Sequence, residues 1–177
     1  DIESDYFREL IVRWFQYGVF CPVFRLHGSR NGHDRTRDII EPSGGDNELW
    51  SFGDRDYEIL RDLVFLRERL RPYIHDQMAI ASKDGVPVMR PLIFDWPEDE
   101  TCTSIGDEFL FGDDILFAPI VNQGETSRRV YLPAGEWVFA RDGKEYAGGQ
   151  WITCTAERNE FSACVKKGAS VLSAFQA

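Results

Sequence analysis

From Ser4 onward the chain sets apolar side chains at Phe7, Leu10, Ile11, Trp14 and Phe15, a spacing of three and four that gathers them on one stripe of a helix. Ser4 is placed as the N-cap and Gly18 as a left-handed stop. The following run, Phe20 to Gly28, opens apolar without alternation, which predicts a strand covered on both faces, as parallel strands are. Helix and buried strand together predict α/β architecture. Between Ser29 and Gly53 the pattern gives way to Gly, Asn, Asp, Arg and Pro, a long polar loop of the kind kept for function or left mobile. Helical spacing returns from about Asp56 to Lys83, with Leu60, Leu63, Val64, Leu70, Ile74 and Met78 near one face. Pro72 kinks that helix or splits it in two, and Gly85 with Pro87 closes the helical part.

Beyond Pro87 short β-like runs alternate with turns: Val88 to Phe94, Glu108 to Phe111, Ile115 to Ile120, Arg128 to Leu132, Glu136 to Ala140, Gln150 to Thr155, Phe161 to Lys166 and Ser170 to Phe175. Pro133-Ala134-Gly135, Asp142-Gly143 and Gly148-Gly149 supply turn chemistry between them. About eight such strands predict a sandwich. The chain therefore divides near residue 86 into an α/β part and an all-β part.

Composition narrows the partners more than the fold. The 30 acidic against 20 basic residues leave a formal charge of −10, which repels phosphate backbones and anionic lipid, so neither nucleic acid nor membrane is expected as a partner. No run approaches eighteen apolar residues and no signal-peptide pattern opens the sequence. The chain begins at Asp1, directly in a helix pattern; an upstream portion carrying any targeting signal is expected, which leaves the compartment open. Cys21, Cys102, Cys154 and Cys164 are too far apart for a zinc site and too few for a disulfide scaffold. They read as small core residues, with Cys154 and Cys164 able to face each other on neighbouring strands.

His27 directly follows the buried run, the place where an α/β barrel sets its ligand-binding groups on the C-terminal rim. Taken alone, such a histidine is as readily structural as functional. Arg25, two residues before it, shares its face of a strand, and a guanidinium pointing into a barrel requires a carboxylate partner. Asp46 with Glu48 reads as a pair of solvated loop charges, Asp113-Asp114 as a turn, and the acidic stretch Asp95 to Glu100 as a solvated loop. His33 and His75 have no metal-ligand spacing with another His or Cys, so no metal and no cofactor is expected.

The segment Tyr6 to Gly28 closely resembles the seventh helix and eighth strand of the catalytic barrel in glycoside hydrolase family 31. Asn47-Glu48-Leu49-Trp50-Ser51-Phe52-Gly53, Leu70-Arg71-Pro72-Tyr73, Gly85-Val86-Pro87-Val88-Met89-Arg90-Pro91-Leu92 and Phe111-Gly112-Asp113-Asp114-Ile115-Leu116-Phe117-Ala118-Pro119 follow in that family's order, as do Val130-Tyr131-Leu132-Pro133, Gly135 and Trp137. The resemblance covers nearly the whole chain. It implies the C-terminal fragment of a (β/α)8 TIM barrel over residues 1–86 (helix 7, strand 8, the loop and helix 8), followed by a proximal C-terminal antiparallel β-sandwich over residues 87–177. It implies an exo-acting, retaining α-glycosidase for terminal α-linked xylose or glucose. One aspartate attacks the anomeric carbon and a second protonates the leaving oxygen, their carboxyls roughly 5 Å apart. Both come from earlier barrel strands, so this chain holds no catalytic residue. His27 matches the histidine that bonds a hydroxyl of the bound sugar, and Arg25 matches a supporting arginine. Val23 and Phe24 are expected as barrel packing. Trp50 and Phe52 either stack on a sugar face or anchor the loop. The implied partners are an α-linked oligosaccharide or glycoside and the N-terminal remainder of the same enzyme. The alternative is a non-catalytic carbohydrate-binding or interaction module, with Trp137 and Trp151 as its candidate aromatics.

Overall fold

A computed structural model of the chain describes residues 3–26 and 47–176. Helix α1 spans Asp5–Val19 and is capped as the sequence predicts, the Ser4 hydroxyl accepting from the Phe7 N–H at 3.3 Å. The face it buries differs from the expected one. Val12, Phe15 and Val19 turn inward together with Arg13 and Gln16, whereas Trp14 is 69% exposed and Leu10 lies at the surface. The helix thus carries two apolar stripes: one is used within this chain, and Tyr6, Leu10 and Trp14, four residues apart, form the other. Gly18 lies inside the helix, which closes at Phe20. Its missing Cβ serves packing instead, because a Cβ there would come within 2.8 Å of the Phe24 ring.

The predicted buried strand does not form among the described residues. Cys21 to Leu26 has no strand hydrogen bonding, and Val23 is 73% exposed. A parallel strand takes its ladder from a neighbour on each side, and among the described residues no strand lies beside this one. Phe20 alone is fully buried, stacked on Phe117 at 4.2 Å.

A short 3-10 turn, Leu49–Phe52, leads into α2 (Asp54–Arg69) and α3 (Arg71–Asp84). The long helix is therefore split, with Pro72 in the first turn of α3, where its missing N–H has no intrahelical partner to lose. Leu60, Leu63, Leu66, Leu70 and Ile74 are buried along these helices, and Val64 and Met78 are exposed. Gly85 takes the left-handed C-cap (φ 74°) and its N–H bonds the Ala81 carbonyl at 3.0 Å. Among the described residues no helix is long and apolar enough to cross a membrane.

The β part comprises β1 (Met89–Pro91), β2 (Phe109–Phe111), β3 (Ile115–Ala118), β4 (Ser127–Leu132), β5 (Glu136–Phe139), β6 (Glu145–Ala147), β7 (Gln150–Thr155) and β8 (Ser162–Lys166), with the short helix α4 (Glu100–Ser104) after β1. A six-stranded antiparallel sheet runs β1-β2-β3-β8-β5-β6, and β4 pairs with β7 in a second sheet. The stretch expected as a last strand, Ser170–Phe175, is a 3-10 helix whose Val171 joins the core beside α2. The hairpin partner β6, polar and three residues long, has too little apolar pattern to be read from sequence.

The two faces of the larger sheet explain why β2 and β3 are apolar throughout. Phe109, Phe111, Ile115, Phe117, Ala163 and Val165 pack toward the helices, in one cluster with Val12, Phe15, Phe20, Leu60 and Leu70. Leu110, Leu116, Ala118 and Cys164 point the other way, against Val130, Leu132, Ile152 and Cys154 of the smaller sheet. Successive residues of a strand face opposite sides, so three layers (helices, large sheet, small sheet) bury every position of these central strands.

Candidate functional site

The stretch that the sequence marks for function leaves α1 at Val19 and runs through Leu26. Its backbone, without a strand ladder, is held by Arg67 of α2. Arg67 Nη1 donates to the carbonyls of Val19 (2.6 Å) and Cys21 (2.7 Å), and Nη2 to that of Pro22 (3.0 Å). The rings of Phe24 and Phe111 each lie 5.8 Å from the guanidinium, and Phe24 meets Phe15 edge-on at 4.6 Å. Burial pulls the Arg67 guanidinium below the usual arginine range and pushes the nearby Cys21 thiol up.

Arg25 and Leu26 close this stretch, both exposed and in no strand among the described residues. His27, with His33 and Asp46, lies outside the described residues. On the far side of the loop, Trp50 is 69% exposed on the 3-10 turn, while Phe52 is fully buried against Phe7, ring centroids 6.3 Å apart. The two aromatics of that motif therefore separate, Phe52 anchoring the turn and Trp50 facing solvent. Glu48 holds the N-cap position of the turn without a side-chain cap bond, its Oε2 accepting instead from the Asn47 N–H (3.1 Å) and the Ser51 hydroxyl (3.3 Å).

The helical layer is fastened to the β layer by polar groups that sequence pattern did not single out. Arg13 of α1 donates to the carbonyls of Glu125 (3.1 Å), Ala156 (2.9 Å), Glu157 (3.1 Å) and Glu160 (3.0 Å), and Gln16 reaches those of Arg158 (2.9 Å) and Glu160 (3.0 Å). Arg158 returns the contact to Asp56 at 2.7 Å. At the other end the turn after β2 docks on α3. Tyr73 donates its hydroxyl to the Phe111 carbonyl and accepts from the Asp114 N–H, both at 2.9 Å, and Gln77 brackets Asp113 through its N–H (3.1 Å) and its carboxylate (3.3 Å). Asp113 also receives Arg90 at 3.1 Å. Gly112 sits at φ 67°, where a Cβ would lie 2.3 Å from the Tyr73 hydroxyl. The Asp-Asp pair is thus a structural turn.

Glu108, just before β2, is fully buried against β4, accepting from the Tyr131 N–H at 3.0 and 3.1 Å with Arg128 at 3.4 Å. Burial pushes its carboxyl up to about 7. Three cysteines, Cys102, Cys154 and Cys164, are buried free thiols, and burial raises all three. Of the two aromatics named for a binding face, Trp137 is buried with its Nε1 donating to the Pro133 carbonyl at 2.8 Å. Trp151 is 40% exposed beneath the Arg129 guanidinium, 4.6 Å from its ring.

The signal for Arg67 and Arg13 was present in the sequence but easily passed over: both are charged residues set among the apolar positions of an amphipathic helix. A charge there is retained only where partners offset its burial.

Comparison with known proteins agrees with this architecture. Residues 3–77 match the model of the glycosyl hydrolases family 31 TIM-barrel domain, and residues 85–171 match that of the glycosyl hydrolase family 31 C-terminal domain. The crystal structure of an α-xylosidase from a soil metagenome, complexed with xylose, superposes with a TM-score of 0.90 at 42% identity over 99% of this chain and 27% of that one. Alpha-glucosidase 2 of Bacillus thermoamyloliquefaciens is 35% identical over 92% of this chain and 19% of its own length. An alpha-xylosidase of Saccharolobus solfataricus is 29% identical over 94% of this chain and 21% of its own. The chain thus spans about a fifth of these curated relatives. Their enzymes are glycosidases, and the fold, the order of motifs and both matched models lead to one assignment: the chain belongs to glycosyl hydrolase family 31, joining the end of that family's TIM barrel to its C-terminal β domain.

Proposed function

We propose that this chain is the C-terminal piece of a retaining, exo-acting α-glycosidase that hydrolyses terminal α-linked xylose or glucose. In this reading residues 1–86 complete the barrel, residues 87–177 form the supporting sandwich, and the nucleophile and acid/base aspartates lie upstream. His27 bonds a hydroxyl of the bound sugar, Arg25 supports the acidic groups of the site, and Trp50 offers an aromatic face. The chain's own part of the mechanism is then to orient the ring, so that the anomeric carbon meets the nucleophile in line. Correct placement of this kind accounts for a large share of the barrier lowering in enzymes.

One observation carries the reading: along 99% of its length the chain follows, at 42% identity, a solved α-xylosidase that holds xylose. The outward stripe of Tyr6, Leu10 and Trp14 agrees with it, since a barrel helix needs neighbours on both sides. The test is His27→Ala in the complete enzyme, assayed on p-nitrophenyl α-xyloside and α-glucoside. A fall in kcat/KM of roughly tenfold or more is expected, and an unchanged value removes His27 from the site.

A second reading, a non-catalytic carbohydrate-binding module, rests on Trp151 alone, exposed beside Arg129. Titration of the chain with xylo- and gluco-oligosaccharides separates the two, because saturable binding lost in Trp151→Ala favours the module.

A further inference from the structure

We propose that Arg67 is a positioning residue for the sugar site: its guanidinium fixes the direction in which the chain leaves α1, and so the place of the wall Cys21 to Leu26. The inference rests on the proposed function given above, in which Arg25 of this stretch supports the sugar site and His27 follows it in sequence.

A guanidinium presents its N–H donors in a rigid planar fork. Here two of its nitrogens meet three carbonyls, those of Val19, Cys21 and Pro22, at 2.6, 2.7 and 3.0 Å. The bond to Val19 alone would be an ordinary helix C-cap, satisfying one of the carbonyls that a helix end leaves free. The other two lie past the helix, in a stretch with no strand ladder of its own, and Pro22 has no N–H with which to form one. Three carbonyls held by one rigid group determine both the position and the orientation of the segment. No carboxylate is among the hydrogen-bond partners of Arg67 in the described residues, so its charge serves main-chain dipoles rather than an ion pair. The group also spans the layers, since Phe24 belongs to the wall and Phe111 to β2.

Lysine cannot reproduce the fork. Its single ammonium keeps the charge and most of the stem's packing but cannot reach three carbonyls in that arrangement. Arg67→Lys therefore separates positioning from folding, and Arg67→Ala gives the full loss.

The experiment measures kcat/KM of the complete enzyme on p-nitrophenyl α-xyloside and α-glucoside for R67K, R67A, H27A and the double variant R67K/H27A. R69K is the control, because Arg69 bonds the Ala174 carbonyl at 2.8 Å and, among the described residues, makes no hydrogen bond to Cys21–Leu26. Misplacement of a binding group by about 1 Å costs roughly a hundredfold, so R67A is expected to lose about that factor and R67K about tenfold, with R69K unchanged. In the H27A background R67K is expected to cost less than about twofold more, because the group it positions is gone. R67K within about twofold of the parent, while H27A is damaging, overturns the proposal. So does a pair of damaging single substitutions whose losses multiply in full, which is what a stabilising bond unrelated to the site produces. A silent H27A with a damaging R67K removes the sugar contact assigned to His27 and keeps the clamp.

Discussion

Trp14 gives a prediction whose sign depends on the company the chain keeps. With 69% of its surface exposed, it presents roughly 170 Å² of a side chain that buries up to about 250 Å² when fully packed. At about 25 cal/mol per Å², covering that area against upstream barrel elements is worth about 4 kcal/mol. Trp14→Gln keeps helix propensity nearly constant and adds no charge. In the complete enzyme it should lower stability by up to about 4 kcal/mol, read as a shift of the urea midpoint at constant slope. In the isolated 177-residue chain the same substitution should do the opposite, weakening self-association in sedimentation velocity, because there the stripe of Tyr6, Leu10 and Trp14 is an uncovered patch. A change below about 0.5 kcal/mol in the complete enzyme, the usual size for an exposed surface position, would refute the claim that this face is covered.

The buried Glu108 predicts a pH dependence. Its folded pKa of about 7 lies above the ordinary 4.5, so its favourable contribution is full below about 4.5 and is lost as pH rises through about 7, a span of about 3 kcal/mol. The stability of the parent relative to Glu108→Gln should therefore fall between pH 5 and pH 8, and a pH-independent difference would show that the carboxylate is already ionised when folded. Gly112→Ala combines a positive φ with a Cβ 2.3 Å from the Tyr73 hydroxyl; it should cost about 2–5 kcal/mol in denaturant titration, and a cost under about 0.5 kcal/mol would mean the turn shifts freely. Arg13→Ala takes a donor from four carbonyls, of which those of Glu157 and Glu160 keep another in the Glu160 N–H and Gln16, and should destabilise by about 2–4 kcal/mol. Amide exchange in residues 156–160 should rise with it; unchanged exchange there would show that other bonds hold the segment.

What the sequence made legible follows from where each pattern is satisfied. The continuous apolar runs of β2 and β3 reflect burial between two layers of the same chain, and that pattern is enough to identify them as strands. The run after α1 carries the same kind of pattern, yet Val23 stays exposed, because a barrel strand needs neighbours that the described residues do not contain. Helix α1 misled for a related reason. Its two apolar stripes were merged into one, and only Val12, Phe15 and Val19 face the core found here. The 3-10 helix Ser170–Phe175 has the sequence pattern of a strand, because six residues are too few to distinguish the two periodicities. Arg67 and Arg13 stand out as charges among apolar helix positions, but the main-chain carbonyls they bond leave no trace in a pattern of side chains. For the candidate site, Arg25 and Trp50 are placed at the surface, and His27 rests on the motif it belongs to.

In the proposed function this chain orients the bound sugar and residues upstream of it perform the chemistry. Assay of the purified 177-residue chain on p-nitrophenyl α-xyloside and α-glucoside, beside the complete enzyme, decides this. Release of p-nitrophenol is expected from the complete enzyme and none above background from the chain alone. Clear turnover by the isolated chain would contradict it.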